Sequence, residues 1–197
     1  MGLAADAAGL GDPEAGRRLL DAADACGHPS WRPAVRAGWV RAELALFTGD
    51  AGDAVDPAER ALAAARAAGS PRHVLKSRLV RAVVEAVLHP TGAVLAELDA
   101  IAATAARDVP PLEWPTRLAA ADLVERLGAE AVTGSSPRVN DGDRPSPIPS
   151  PSGRPSAAAR RRHAAALSVN VLYQLSDGVG RRLLGDSPYV PLRLPLV

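Results

Sequence analysis

Two alanine-rich stretches lie 42 residues apart, and each ends in a glycine followed two residues later by a proline. They read "LLDAADACGHP" over 19–29 and "ALAAARAAGSP" over 61–71, and six of the eleven positions match. Alanine and leucine favour helix, glycine ends a helix in a left-handed conformation, and proline suits the first position of a new helix. The pair therefore predicts helices that stop and restart at a constant interval.

The core of such a chain has to be built from small side chains. Aromatic residues make up only 3% of the 197 positions, with three Trp, two Tyr and one Phe. Few side chains can span a wide gap, so the helices must approach one another closely to reach normal packing density. No segment alternates as a strand between turn residues, and the predicted fold class is all-α.

Residues that cap helices mark most of the predicted boundaries. Asp12, Thr91 and Ser156 each stand where a side chain could accept a hydrogen bond from the first turn of a helix. Asp56 with Glu59 three positions later resembles a capping box. Ser70 followed by Pro71 marks another start, and Gly27, Gly49, Gly69 and Gly128 mark stops. The predicted helices cover residues 13–26, 31–47, 57–68, 71–88, 92–107, 115–127 and 157–175.

Over residues 10–128 the chain resembles the tetratricopeptide repeat (TPR) family. That family carries an aromatic residue and a glycine on the first helix of each repeat, and Trp39 resembles the aromatic. The glycine would fall near Glu43, and the 42-residue period is longer than the family's repeat of roughly 34 residues. The second-helix pattern of small, large apolar, small and proline is matched twice, by Ala58, Leu62, Ala65 and Pro71 and by Gly16, Leu20, Ala23 and Pro29.

The resemblance implies stacked antiparallel helical hairpins, a short TPR-like α-solenoid, over residues 1–132. An irregular helical bundle is the alternative. Residues 1–10 are expected to be too short for a full helix, which would expose an apolar face and suits a remnant of a larger regulatory protein.

A Pro/Ser/Gly-rich segment, 133–156, interrupts the helical pattern. Its composition buries too little apolar surface to offset ordering, so a disordered linker is predicted. Residues 157–197 are expected to form a C-terminal helix and an extended tail that pack back on the repeats. The stripe of Leu167, Val171 and Leu175 is expected to face Leu118, Leu123 and Leu127 of the helix over 115–127.

The sequence contains no catalytic or ligand-binding motif of known spacing. GxxxxGK, GxGxxG, HExxH, CxxC and GxSxG are all missing, and the four histidines are scattered. Cys26 is expected to be a small buried residue rather than a nucleophile. No catalytic residue, cofactor or metal is therefore predicted, and an enzyme with an unrecognised site remains an alternative.

Charge and composition narrow the kinds of partner and the cellular location. The net charge is +1, so no overall field attracts nucleic acid or membranes. No apolar run is long enough to span a membrane, no secretory signal is visible, and one cysteine suits a reducing compartment. A cytoplasmic protein without a membrane partner is predicted. Twenty-two Arg against one Lys, with abundant Ala, Gly and Pro, is typical of a GC-rich genome such as that of an actinobacterium.

The single lysine, Lys76, and its neighbour Arg72 are candidate partner-binding residues. On a helical wheel for 71–88 both fall on the arc that should be apolar. Either their charges are neutralised by the preceding loop, at Asp50, Asp53 or Asp56, or they line a groove and clamp a carboxylate of a partner. The second reading follows from the TPR resemblance, because first helices line the peptide-binding groove in that family.

A second basic cluster, Arg160, Arg161 and Arg162, opens the last helix. It indicates either phosphate or nucleic-acid contact or an ordinary solvated junction, and interleaved aromatic residues for base stacking are missing. The predicted function is a non-catalytic protein–protein interaction module that binds another protein or a peptide segment. A nucleic-acid-associated regulator using Arg160–Arg162 is the alternative.

Overall fold

A computed structural model describes residues 2–27, 30–133, 156–179 and 181–182 of the chain. Within these ranges the regular structure is entirely helical, which confirms the all-α prediction. Short 3-10 turns precede α4, at Ala51–Ala54, and α7, at Pro110–Leu112. The helices are α1 Gly2–Gly9, α2 Pro13–Ala25, α3 Trp31–Thr48, α4 Val55–Ala67, α5 Pro71–Leu88, α6 Gly92–Asp108, α7 Glu113–Thr133 and α8 Ala157–Leu175.

Most of the predicted helix boundaries are formed by the expected side chains. Asp12, Thr91 and Ser156 each accept a hydrogen bond from the backbone N–H three residues on, at 2.9, 3.3 and 3.1 Å. Gly27 and Gly69 have φ angles of 59° and 60°, the left-handed conformation that ends a helix. These features depend on residues close to one another in the chain, so the sequence alone was enough to predict them.

Two predicted boundaries are wrong. Asp56 lies inside the first turn of α4, because the 3-10 turn before it runs directly into the helix, and its carboxylate pairs with Arg60 at 2.9 Å. Gly128 does not end α7, which continues to Thr133. The residues that follow Gly128, Ala-Glu-Ala, are good helix formers and outweigh the single glycine.

The predicted linker and tail largely lie outside the described residues. Of the segment 133–156, the structure describes only its two ends, in α7 and at the cap of α8. Residues 183–197, which include the predicted extended tail, are also outside the described ranges. At the other end of the chain, residues that were expected to be too few for a full helix form the two turns of α1.

Each helix packs against the next one along the chain. Contacts join α1 to α2 and continue in order to the pair α7 and α8. The odd-numbered helices also touch one another in order, α1 with α3, α3 with α5 and α5 with α7. The odd-numbered helices therefore form a continuous row, and each of α2, α4 and α6 packs against the two members that flank it in sequence.

Alanine and glycine bring the helices close together, as the composition predicted. Ala58, Ala61 and Ala65 of α4 are buried almost completely. A Cβ atom built on Gly38 of α3 would lie 2.7 Å from the Pro57 carbonyl oxygen and 2.9 Å from the Ala61 Cβ. Only glycine fits at this crossing of α3 and α4. It lies about one and a half helical turns before Glu43, the position near which the TPR resemblance placed the first-helix glycine.

The C-terminal helix α8 packs on α7 through a different face from the predicted one. Its buried residues are Ala158, Ala165 and Val169. The expected stripe faces away, since Leu167, Val171 and Leu175 are 48%, 57% and 80% exposed. Small side chains allow close approach to α7, and Arg161 and Arg162, described below, form ion pairs with α6 and α7.

We expect Gly38→Ala to lower the free energy of unfolding by about 1–3 kcal/mol, because the added methyl group meets a backbone carbonyl that cannot move aside cheaply. Chemical denaturation followed by circular dichroism measures this change. Gly128→Ala is the matched control: no atom lies within 4 Å of its added Cβ, so helix propensity should raise stability by up to about 1 kcal/mol. Equal effects of the two substitutions would contradict the close crossing at Gly38.

Candidate functional site

A cleft of about 430 Å³ opens where α3 and α5 meet, and we call it the α3–α5 cleft. Its floor is aromatic. The His73 ring stacks on Trp39 with centroids 5.6 Å apart and meets the edge of Trp31 at 4.8 Å. The cleft is lined by Arg36, Trp39, Arg72, His73, Lys76 and Leu112.

Hydroxyl groups hold this aromatic floor in place. The Trp39 Nε1–H donates to Ser77 Oγ at 2.8 Å, and Ser77 is fully buried. The Ser70 hydroxyl lies 2.8 Å from Nδ1 of His73. Ser70, the first residue before α5, therefore orients the imidazole instead of capping a backbone N–H as predicted.

The two predicted cations of α5 have different environments. Lys76 Nζ lies 3.0 Å from Glu43 Oε1 and 5.8 Å from the centre of the Trp39 ring. Its counter-charge is thus on α3, and not in the loop that carries Asp50, Asp53 and Asp56. Arg72 is exposed at the mouth of the cleft. It has no ion pair within the part of the chain that the structure describes.

The sequence reasoning missed Arg36, which lies on α3 and lines the same cleft as Arg72. Its side chain is exposed and also lacks an ion pair among the described residues. Arg32, one turn earlier, lies over the Trp31 ring at 5.0 Å. The spacing 32, 36, 39 and 43 places these side chains on one face of α3. That pattern is visible in the sequence, but the sequence does not show that this face meets α5.

Burial and the nearby cations both lower the pKa of His73. Burial of the imidazole lowers its pKa below the ordinary 6.5, and the cations Arg32, Arg72 and Arg36 lower it further. A like charge nearby disfavours the protonated form, as does removal from water. These surroundings favour the neutral imidazole of His73. Arg36, Arg72 and Lys76 line the cleft and Glu43 pairs with Lys76, so the cleft carries a net positive charge.

The second candidate cluster, at the start of α8, is engaged within the molecule. Arg161 donates to both carboxylate oxygens of Asp99 on α6, at 3.2 and 2.6 Å. Arg162 donates to Asp122 at 2.7 Å and also to Glu125, both on α7. These pairs attach α8 to its neighbours, and the acidic partners oppose the approach of a phosphate backbone.

A larger cleft, of about 570 Å³, lies on the other side of α3 and has fewer groups suited to binding a ligand. Its walls are mostly alanine, proline and Gly38. Its charged residues are already paired, Arg41 with Asp24 and Arg60 with Asp56. Volume alone does not make a binding site, and the α3–α5 cleft combines aromatic surface with unpaired charge.

The described residues contain no group of three or more His, Cys, Asp or Glu side chains placed to hold a metal ion. Cys26 is exposed, contrary to the prediction that it is buried, because it follows the last turn of α2 where no other helix covers it. None of the helices in the described ranges is both long enough and apolar enough to cross a membrane. No family model matches the chain, and no curated protein or solved structure matches it either.

We expect Ser77→Ala to lower the free energy of unfolding by about 1–3 kcal/mol, since it removes the partner of the Trp39 N–H. In the Trp39→Phe background the same substitution should cost much less, because no donor is left unpaired. Equilibrium denaturation of the four proteins of this double-mutant cycle measures the coupling. Additive effects would show that the hydrogen bond adds nothing to stability.

The pKa of His73, measured by NMR titration of its imidazole carbons, should lie below 6.5. The neutral form is the one that the fold favours, so stability should be fully present above pH 6.5 and decline as the pH falls towards the lower, folded-state pKa. Arg72→Ala should raise the pKa by removing one nearby cation. Arg18→Ala, on α2, is the control and should leave the pKa unchanged. If Arg72→Ala also leaves the pKa of His73 unchanged, Arg72 does not lower it.

Proposed function

We propose that the chain is a non-catalytic protein-interaction module, built as TPR-like stacked helical hairpins, that binds a peptide segment of another protein in the α3–α5 cleft. The hairpins would be the successive pairs of helices, with the odd-numbered helix first in each pair. The row of odd-numbered helices would then be the face that receives the partner, as first helices do in the resembled family.

The helix contacts support the stacked arrangement. Trp31 meets His73, which lies 42 residues further on, and this separation equals the offset between the two alanine-rich stretches. Lys76 reaches Glu43, so the contacts advance in the same direction along α3 and α5. Gly38 occupies the close crossing of its hairpin, the structural role that the family gives to its first-helix glycine.

The observation that carries the proposal is the pair Arg36 and Arg72 at the mouth of an aromatic cleft. Both guanidinium groups line the cleft and neither has an ion pair among the described residues, so a partner's carboxylate could bind to them. Arginine and tryptophan are also the side chains that dominate protein–protein interfaces. The cleft therefore suits an acidic peptide segment.

Lys76 contributes less to this site than the sequence suggested. Its ammonium already has a carboxylate partner in Glu43, and the two side chains are 29% and 42% exposed. Arg36 takes its place as the second member of the clamp. The Arg160–Arg162 cluster gives no comparable support to a nucleic-acid function, because Asp99, Asp122 and Glu125 engage two of its three members.

Selection from a random peptide library displayed on phage tests the proposal. The wild-type protein should enrich peptides rich in Asp and Glu, and the double variant Arg36→Ala/Arg72→Ala should bind the selected peptides at least about tenfold more weakly, because hydrogen bonds to charged groups are lost. The control variant Arg18→Ala/Arg60→Ala removes two arginines that lie on other faces. Equal binding by the two double variants, or no enrichment of acidic peptides, would overturn the proposed function.

A further inference from the structure

Another cleft, of about 440 Å³, lies next to the α3–α5 cleft, between the start of α5 and the end of α6. We call it the α5–α6 cleft. Arg72 borders both clefts, so its side chain is the boundary between them. A peptide held at Arg72 can therefore place neighbouring side chains in both. The α5–α6 cleft is lined in addition by Pro71, Val74, Leu75, Thr104 and Val109.

The two clefts differ in chemistry. The walls of the α5–α6 cleft are mostly hydrocarbon, and Val74, Leu75 and Val109 are buried or half-buried. The Arg78 guanidinium at its edge is already held by Glu97, with hydrogen bonds of 3.0 and 3.1 Å. It has little capacity left for a ligand, so the α5–α6 cleft suits an apolar side chain.

One charged group makes the two clefts differ in their preference for an acidic side chain. Asp108, the last residue of α6, borders the α5–α6 cleft and has no ion pair among the described residues. Its carboxylate repels a second acidic side chain there. An acidic residue is attracted to the α3–α5 cleft by Arg36 and Arg72, whereas in the α5–α6 cleft the Asp108 carboxylate offsets the attraction of Arg72.

We propose that the ligand is an extended peptide in which one acidic residue stands two positions from a bulky apolar residue. This inference rests on the proposed function and names the sequence that the site selects. The acidic side chain lies between Arg36 and Arg72, and the apolar side chain fills the α5–α6 cleft. Alternate side chains of an extended chain point the same way about 6.6 Å apart, a span that the long side chain of Arg72 can separate.

Fluorescence anisotropy with four labelled heptapeptides tests the inference. The parent peptide has a glutamate and, two positions later, a leucine, with glycine and serine elsewhere. The other three replace the leucine by alanine, the leucine by a second glutamate, or the glutamate by glutamine. Loss of the buried leucine should weaken binding about tenfold. Loss of the acid should weaken it at least as much, and the peptide with two acids should bind more weakly than the alanine peptide.

Two variants of the protein test the α5–α6 cleft separately. Asp108→Asn should improve binding of the peptide with two acids more than it improves binding of the parent peptide. Thr104→Met fills the α5–α6 cleft from the half-exposed side of α6, so it should abolish the preference for leucine over alanine. Circular dichroism confirms that each variant is folded, and Arg18→Ala is the control for a substitution outside both clefts.

The outcomes separate this inference from the proposed function. If acidic peptides bind but leucine, alanine and a second glutamate are equivalent, the inference is wrong and the peptide-binding function stands. If the parent peptide and the glutamine peptide bind equally well, the acidic clamp fails and the proposed function fails with it. If neither binds while peptides selected on phage do, the proposed ligand sequence is wrong and the peptide-binding function stands. An unchanged affinity of Asp108→Asn for the peptide with two acids would also overturn the role assigned to Asp108.

Discussion

The crossing of α3 and α4 at Gly38 is the contact on which the rest of the structure depends. A core made mainly of alanine stabilises a fold only if the helix backbones come close, because small side chains cannot fill wider gaps. Gly38 allows this by leaving room for the Pro57 carbonyl and the Ala61 methyl group. With α4 seated there, the sharp turn at Gly69 returns the chain as α5 beside α3.

The α3–α5 cleft lies where the aromatic side chains of α3 meet His73 of α5. Trp39 and His73 line the cleft, and Trp31 contacts the His73 ring. Hydrogen bonds fix the floor, and the neutral state of His73 is a consequence of its burial and of the surrounding arginines. Stability and binding use different atoms here: the rings and hydroxyls build the floor, and the guanidinium groups of Arg36 and Arg72 remain for a ligand.

The all-helical fold and most helix ends could be predicted from the sequence, and much of the candidate site could not. Caps and left-handed glycines act within about four residues, so local propensities and hydrogen bonds decide them. One kind of error arose where adjacent residues outweighed a single helix-ending residue, as at Gly128. The other arose where the sequence had to predict which side of a helix packs against its neighbour. The stripe of Leu167, Val171 and Leu175 is helical as predicted, but α8 turns it to solvent because smaller side chains pack on α7.

The sequence by itself determined the number and order of the helices over residues 13–128, the small-residue core and the place of Arg72 on α5. Only the tertiary structure decided that Lys76 is paired with Glu43, that Arg36 and Arg72 line one cleft, and that Asp108 borders the α5–α6 cleft. The physical reason is that these contacts depend on the rotation and offset of helices far apart in the chain. Close packing at Gly38 and at the alanines sets the rotation and the offset of these helices. Alanine occupies positions on so many sides of each helix that the sequence does not show which side packs against a neighbour.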